Sequence, residues 1–358
     1  MIANEHLIDL KGISKEYDGT RVLGTIDLYV RKKEFVTLLG PSGCGKTTTL
    51  RIVAGLTAPD AGSVLLDGAD ITALPPEKRD VNTVFQSYAL FPHMNVERNI
   101  AYGLRLRGVK KDERACRVRE MLHLVALEGF EGRMPSQLSG GQRQRIAIAR
   151  ALVLKPRLLL LDEPLGALDL KLRQQMQREL KDIQKRSGIA FLYVTHDQEE
   201  ALNLSDRIAI MRDGLIEQVG APEDIYERPQ TRFAAEFIGQ SNFLPCEVAE
   251  VENGVPVLTC ADQRFPGRAG YPELRAGDKV EVCLRIERVR LSRRPIGPCA
   301  LPALLKSRHY AGGSIRETAV LPNGQEVFAI QQTSGEERLE EGENIYVCWD
   351  ANEAALVR

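Results

Sequence analysis

Between Gly40 and Thr47 the chain reads Gly-Pro-Ser-Gly-Cys-Gly-Lys-Thr, directly after the apolar run Phe35 to Leu39 and directly before a helical pattern. This is the G-x-x-x-x-G-K-T spacing of a phosphate cradle. Gly40, Pro41, Ser42, Gly43, Cys44 and Gly45 let backbone N–H groups wrap an oxyanion, Lys46 brings charge to the β and γ phosphates, and Thr47, followed by Thr48, offers a hydroxyl to Mg2+. Cys44 lies among the same N–H groups, which predicts a thiol biased toward its thiolate.

A second set of groups suits hydrolysis. The apolar stretch Leu158 to Leu161 ends in Asp162 and Glu163. Asp162 at a strand tip can enter a Mg2+ shell, while Glu163, directed elsewhere by strand alternation, can orient or deprotonate a water. His196 follows the apolar run Ala190 to Thr195, at the end of a parallel strand that faces the ligand crevice in such sheets. Gln86 presents a carboxamide to a water or the metal, and Tyr17 presents a ring for stacking on a base. The segment Ser139-Gly140-Gly141-Gln142 opens another helix, where N–H groups again welcome an anion. One chain thus carries two grips on phosphate.

These residues need a scaffold that brings strand ends together. Up to about residue 238, buried-strand patterns alternate with helical ones, which predicts a parallel sheet flanked by helices; between about 92 and 154 strand signals fade and a helical insertion is expected. From 239 to 358 short β-rich runs alternate with Gly, Pro and Asn, predicting an all-β domain of small-barrel size with a hairpin turning at Asn323-Gly324. The 358 residues carry 48 Lys+Arg against 49 Asp+Glu, so a net charge of −1 supplies no general attraction to nucleic acid. The absence of a leader-like opening or a long apolar run predicts a cytoplasmic, non-spanning protein. The seven cysteines lack metal-ligand spacing and read as reduced thiols.

Taken in order, the phosphate loop, Gln86, Leu138-Ser139-Gly140-Gly141-Gln142, Leu158 to Glu163, Asp169 and His196 resemble the ATP-binding subunit of an ABC transporter, and the β-rich remainder is similar to the TOBE domain of importer ATPases. The resemblance implies a P-loop NTPase α/β domain with a helical insertion, joined to an OB-like accessory domain. It implies ATP and Mg2+ as cofactors and a homodimer whose two sites are composite: Ser139 and Gly141 of one copy cap the ATP held by Lys46 of the other. It also implies two membrane permease subunits docked on the Gln86 loop and the helical insertion, an extracytoplasmic solute-binding protein, and a peripheral position on the cytoplasmic face of the membrane. The wording of Val81 to Met94, Lys155 to Asp169 and Val194 to Gly214 resembles importers of polyamines most, and relatives for sugars, ferric iron or phosphonates share much of it.

Non-transport members of the family act on DNA or the ribosome. The former carry a long coiled coil between the phosphate loop and the signature segment, here Leu138 to Gln142, and the latter two cassettes per chain; neither feature is present, and no nucleic-acid partner is expected. Three departures from the family pattern stand out: Gly166 where Ser is common, Ile286 in place of Pro after Leu284-Arg285, and Lys32-Lys33-Glu34 without the usual Gly-Glu.

Overall fold

A computed structural model of the chain describes residues 6–166, 169–260, 262–333 and 339–357. It divides into two compact units at Pro222/Glu223, so that residues 223–238 group with the C-terminal unit rather than with the N-terminal one as the sequence pattern suggested.

The first unit contains β1 (His6–Tyr17), β2 (Thr20–Arg31), β3 (Phe35–Leu39), α1 (Lys46–Ala54), β4 (Ala61–Leu66), β5 (Ala69–Asp70) and β6 (Val81–Val84). There follow α2 (Val96–Leu106), α3 (Lys111–Leu124), α4 (Gly140–Leu152), β7 (Leu158–Asp162), α5 (Leu170–Ser187), β8 (Ala190–Thr195), α6 (Gln198–Leu204), β9 (Arg207–Arg212) and β10 (Leu215–Gly220). Strands β2-β1-β4-β5 form one antiparallel sheet. The other sheet has the order β10-β9-β3-β8-β7-β6, parallel except for β10.

Strand β3 is buried along its whole length, as a central parallel strand covered on both faces must be. Side-chain alternation splits β7 between two cores: Leu159 and Leu161 pack with Phe191, Tyr193 and helices α2 to α5, while Leu158 and Leu160 pack with Leu192, Val194 and α1. After β3 the chain crosses to the far edge, β6, and works back through β7 to β8. The phosphate loop therefore leaves β3 beside β8, at the kind of switch point where open α/β sheets bind ligands. The register sets Leu39 level with Thr195, and Val194 level with Asp162, so three adjacent strand ends form one rim.

The second unit holds α7 (Pro222–Glu227), α8 (Arg232–Phe237), β11 (Ser241–Glu252), β12 (Val255–Cys260), β13 (Gln263–Pro266), β14 (Lys279–Arg285), β15 (Arg290–Ser292), β16 (Cys299–Tyr310), β17 (Ser314–Val320), β18 (Glu326–Gln332), β19 (Asn344–Trp349) and β20 (Ala355–Val357). Two five-stranded antiparallel sheets, β13-β12-β11-β14-β20 and β15-β19-β16-β17-β18, enclose a core that includes Leu244, Val282, Leu301 and Val347, with Phe265 edge-on to Trp349. The β17–β18 turn contains Asn323-Gly324, but Val320 pairs with Glu326, so the loop has more than the two residues a tight Asn-Gly hairpin would leave. Gly324 is left-handed, and Asn323 Oδ1 accepts from Gln325 N at 3.0 Å.

A buried guanidinium fastens the two short helices to this unit. Arg285 donates to Ala235 O and Ser241 Oγ and to Tyr226 O, each at 2.8 Å, and lies 4.2 Å over the Tyr226 ring. The neighbouring Ile286 N donates to Gln240 O at 3.3 Å, a bond that a proline at this position would lack the hydrogen to make.

Candidate nucleotide site

The phosphate loop is shaped by three glycines. Gly43 and Gly45 have φ of 81° and 100°, a left-handed backbone that side chains resist. A Cβ on Gly45 would overlap Leu23 and sit 3.0 Å from Val22 O, and one on Gly40 would overlap Met211 O. The loop is therefore pressed between β2 and β9. Lys46, 5% exposed, turns back into it and donates to Gly40 O at 2.7 Å and Pro41 O at 2.8 Å. Ser42 and Thr47 are exposed and Thr48 is half-buried. The expectation for Cys44 is reversed: its thiol is 3% exposed, and burial pushes it above the ordinary cysteine range despite the opposing pull of Lys46. The inward turn of the side chain, invisible in the spacing, is the reason.

Along the rim, Thr47 Oγ1 donates to Asp162 Oδ1 at 3.2 Å. Burial raises the Asp162 carboxyl above the usual aspartate range, and nearby Glu163 adds to this, while Thr47, Lys46 and Arg51 oppose it. Glu163 does diverge from Asp162, but not through strand alternation. β7 ends at Asp162, and Glu163 is left-handed, with φ 44° and its N–H donated to Val194 O at 3.0 Å. That turn carries Glu163 Oε1 to 3.3 Å from His196 Nδ1, just beyond β8, where the His196 side chain is 57% exposed. Below it, buried Glu200 accepts from Tyr193 Oη at 2.7 Å and Thr195 Oγ1 at 2.6 Å, with its carboxyl raised by burial.

Lys46, Thr47, Asp162, Glu163 and His196 thus meet on one rim. Gln86 is exposed, and its Nε2 lies 3.6 Å from where a Cβ on Gly166 would stand; a serine there meets only ordinary contacts. Tyr17, 42% exposed, ends β1 opposite Thr20, with Lys15 Nζ 5.2 Å from its ring. Ser139 caps α4 in a reciprocal box with Gln142: Gln142 N donates to Ser139 Oγ at 3.3 Å and Ser139 N to Gln142 Oε1 at 2.9 Å. Gly140 opens the helix, and Gly141 is buried where a Cβ would stand 3.1 Å from Met176 Sδ. Among the described residues no hydrogen bond joins this segment to the phosphate loop. Asp169 caps α5, accepting from Leu172 N at 3.0 Å.

Sequence reasoning missed Arg79, Tyr88 and Arg150. Arg79, 6% exposed, donates to Ile52 O and Val53 O at the end of α1 and to Thr72 O and Leu74 O, fixing the rear of the helix that begins with Lys46. In the polar run Pro76 to Asp80 nothing marks it as buried.

No described helix is long and apolar enough to cross a membrane. Residues 23–166 match the ABC transporter family model and residues 282–357 the TOBE domain model. The spermidine/putrescine import ATP-binding protein PotA of Frankia alni is 49% identical over 97% of this chain and 78% of its own length; that of Aliivibrio fischeri is 49% identical over 90% and 87%. The protein of the same name from Nitratidesulfovibrio vulgaris is 45% identical over 98% and 96%. Among solved structures, CbiO1 of Clostridium perfringens, part of the ABC transporter complex cbiONQ, superposes with a TM-score of 0.59 at 27% identity, covering 66% of this chain and 93% of its own. The chain belongs to the ABC transporter family, as an ATP-binding subunit with a C-terminal TOBE domain.

Proposed function

We propose that this chain is the ATP-hydrolysing energy subunit of an importer for the polyamines spermidine and putrescine. It works as a homodimer on the cytoplasmic face of the membrane, beneath two permease subunits, with solute delivered by an extracytoplasmic binding protein. The names of the relatives, 45% to 49% identical over most of the chain, support the solute. The observation that carries the reaction is the rim on which Lys46, Thr47, Asp162, Glu163 and His196 converge.

Lys46 exchanges its bonds to the Gly40 and Pro41 carbonyls for the β and γ phosphates of ATP, whose oxygens the loop N–H groups receive. Thr47 Oγ1 and Asp162 Oδ1, two hard oxygen donors 3.2 Å apart, fit Mg2+, with Gln86 contributing through water; when bound, the ion neutralises charge on the phosphates. Its charge also relieves the penalty that burial places on the Asp162 carboxylate. Glu163 positions the attacking water and accepts its proton, and His196, held against Glu163, orders the γ-phosphate. Tyr17 stacks on the adenine. Ser139 to Gln142 of one copy, with Asp169, complete the site of the second copy, which accounts for a signature segment with no hydrogen bond to its own phosphate loop. The γ-phosphate then favours the closed dimer, and hydrolysis releases it.

Two measurements test this. A chromosomal Glu163→Gln replacement should abolish uptake of labelled spermidine and putrescine; undiminished uptake in cells with no second polyamine system sinks the solute assignment. The same variant, purified, should form a stable dimer with Mg-ATP by light scattering, and a persistent monomer would count against the composite site.

A further inference from the structure

The roles above leave Tyr88 and Arg150 unused. Beyond β6 the chain runs through Phe85 to Phe91, and there Tyr88 and Ala89 adopt φ of 58° and 42°. Two consecutive left-handed L-residues cost on the order of 1–2 kcal/mol each, so groups outside the loop must hold them. Arg150 does so from α4: its Nη1 donates to Ala89 O at 2.8 Å, its Nη2 to Tyr88 O at 3.1 Å, and its guanidinium lies 5.2 Å from the Phe91 ring. Burial lowers the Arg150 pKa, and among the described residues no carboxylate pairs with it. A half-buried cation whose partners are two strained carbonyls and a ring is placed to hold those carbonyls.

The Tyr88 side chain faces the other way. Its ring is 8% exposed, and its hydroxyl donates to Pro164 O at 2.9 Å, the carbonyl immediately after Glu163. A single residue two positions from Gln86 therefore touches the signature helix through its backbone and the Glu163 turn through its side chain.

We propose that Arg150 and Tyr88 are positioning residues forming a latch: Arg150 keeps the Gln86 loop left-handed, and the Tyr88 hydroxyl then holds the Pro164 carbonyl so that Glu163 stays beside the attacking water. Neither touches nucleotide. Displacing α4 withdraws Arg150, relaxes Tyr88 and Ala89, and lets the Glu163 turn drift, so that hydrolysis, and not ATP binding, depends on α4 being seated. The inference rests on the role given to Glu163 above.

The test uses the full chain, with steady-state ATPase and equilibrium binding of a fluorescent ATP analogue. Tyr88→Phe keeps the ring and removes one bond; turnover should fall roughly 10- to 100-fold with KM and analogue affinity within about twofold, the scale at which a misplaced catalytic group is felt. Arg150→Met should do the same, and adding Ala89→Gly, which takes the left-handed form unaided, should restore part of that turnover. Tyr88→Phe at the wild-type rate overturns the latch, as does a turnover loss matched by lost affinity. Failure of Ala89→Gly to rescue a folded Arg150→Met overturns the part assigned to Arg150. If Arg150→Met does not fold, Tyr88→Phe decides alone. Glu163→Gln runs alongside: normal hydrolysis by it overturns the role of Glu163 and the latch with it, whereas a silent Tyr88→Phe beside an inactive Glu163→Gln overturns the latch only.

Discussion

The loops at Gly40 to Thr47 and at Phe85 to Phe91 solve the same backbone problem by opposite means. Each needs two left-handed residues; the first places Gly43 and Gly45 there, the second Tyr88 and Ala89. Glycine makes the first loop self-sufficient in shape, so its geometry is encoded where it lies in the chain. The second is held from a distance by Arg150 and from the side by Pro164, so its shape reports the position of other elements. The first arrangement suits the phosphate grip proposed for Gly40 to Thr47, and the second suits the dependence on α4 proposed for Phe85 to Phe91.

The comparison can be broken most sharply at Gly45. Gly45→Ala puts a Cβ into Leu23 and Val22 O at a left-handed site, which should cost about 2–4 kcal/mol and lower the melting temperature of the N-terminal unit by roughly 5–15 °C in calorimetry, with loss of ATP binding. Normal binding by a stable Gly45→Ala would show that the loop is less dependent on glycine than its geometry demands. Asp162→Asn comes next. Mg2+-dependent hydrolysis should fall on the order of 10²- to 10³-fold, yet the nucleotide-free variant should melt higher than wild type at neutral pH. The sign follows from a carboxyl raised by burial: the ionised form, present above the folded-state pKa, is the disfavoured one, so the gap should vanish as pH falls below the ordinary aspartate value of 3.8. A gap independent of pH would assign it to another cause.

Smaller effects sharpen the contrast. Ala89→Gly should stabilise the chain by about 0.5–1 kcal/mol in denaturant titrations, because glycine removes strain that Arg150 otherwise has to oppose. Lys33→Gly, at a left-handed position with φ 62° in the turn before β3, should gain a few tenths of a kcal/mol. Destabilisation by either would mean that the observed left-handed conformations carry little strain.

What could be read from the chain follows the same division. The places of the Gly40 to Thr47 loop, Asp162, Glu163 and His196 at the strand ends were legible because short-range patterns determine them: glycine spacing, and apolar runs that end in polar residues at strand tips. The alternation of buried strands with helices disclosed the parallel sheet and the helical insertion. Arg79, Tyr88 and Arg150 were not legible, since each acts through carbonyls 5 to 76 positions away in the chain, and carbonyls have no sequence signature. The Cys44 thiol was misjudged for a related reason: proximity to N–H groups was visible in the spacing and burial was not. Lys33 shows the reverse case, a left-handed turn that this chain makes without the glycine that would mark it in sequence.

The Arg285 fastening has a consequence for dissecting the protein. An expression fragment begun at residue 239, where the β-rich pattern starts, would discard Tyr226 and Ala235 and with them two of the three oxygens that receive the guanidinium, leaving a buried cation short of acceptors at about 1–3 kcal/mol for each. A fragment begun ahead of Pro222 retains both helices and their carbonyls. The useful cutting point for isolating the accessory domain is therefore set by one arginine's hydrogen bonds and not by where strand-like sequence begins.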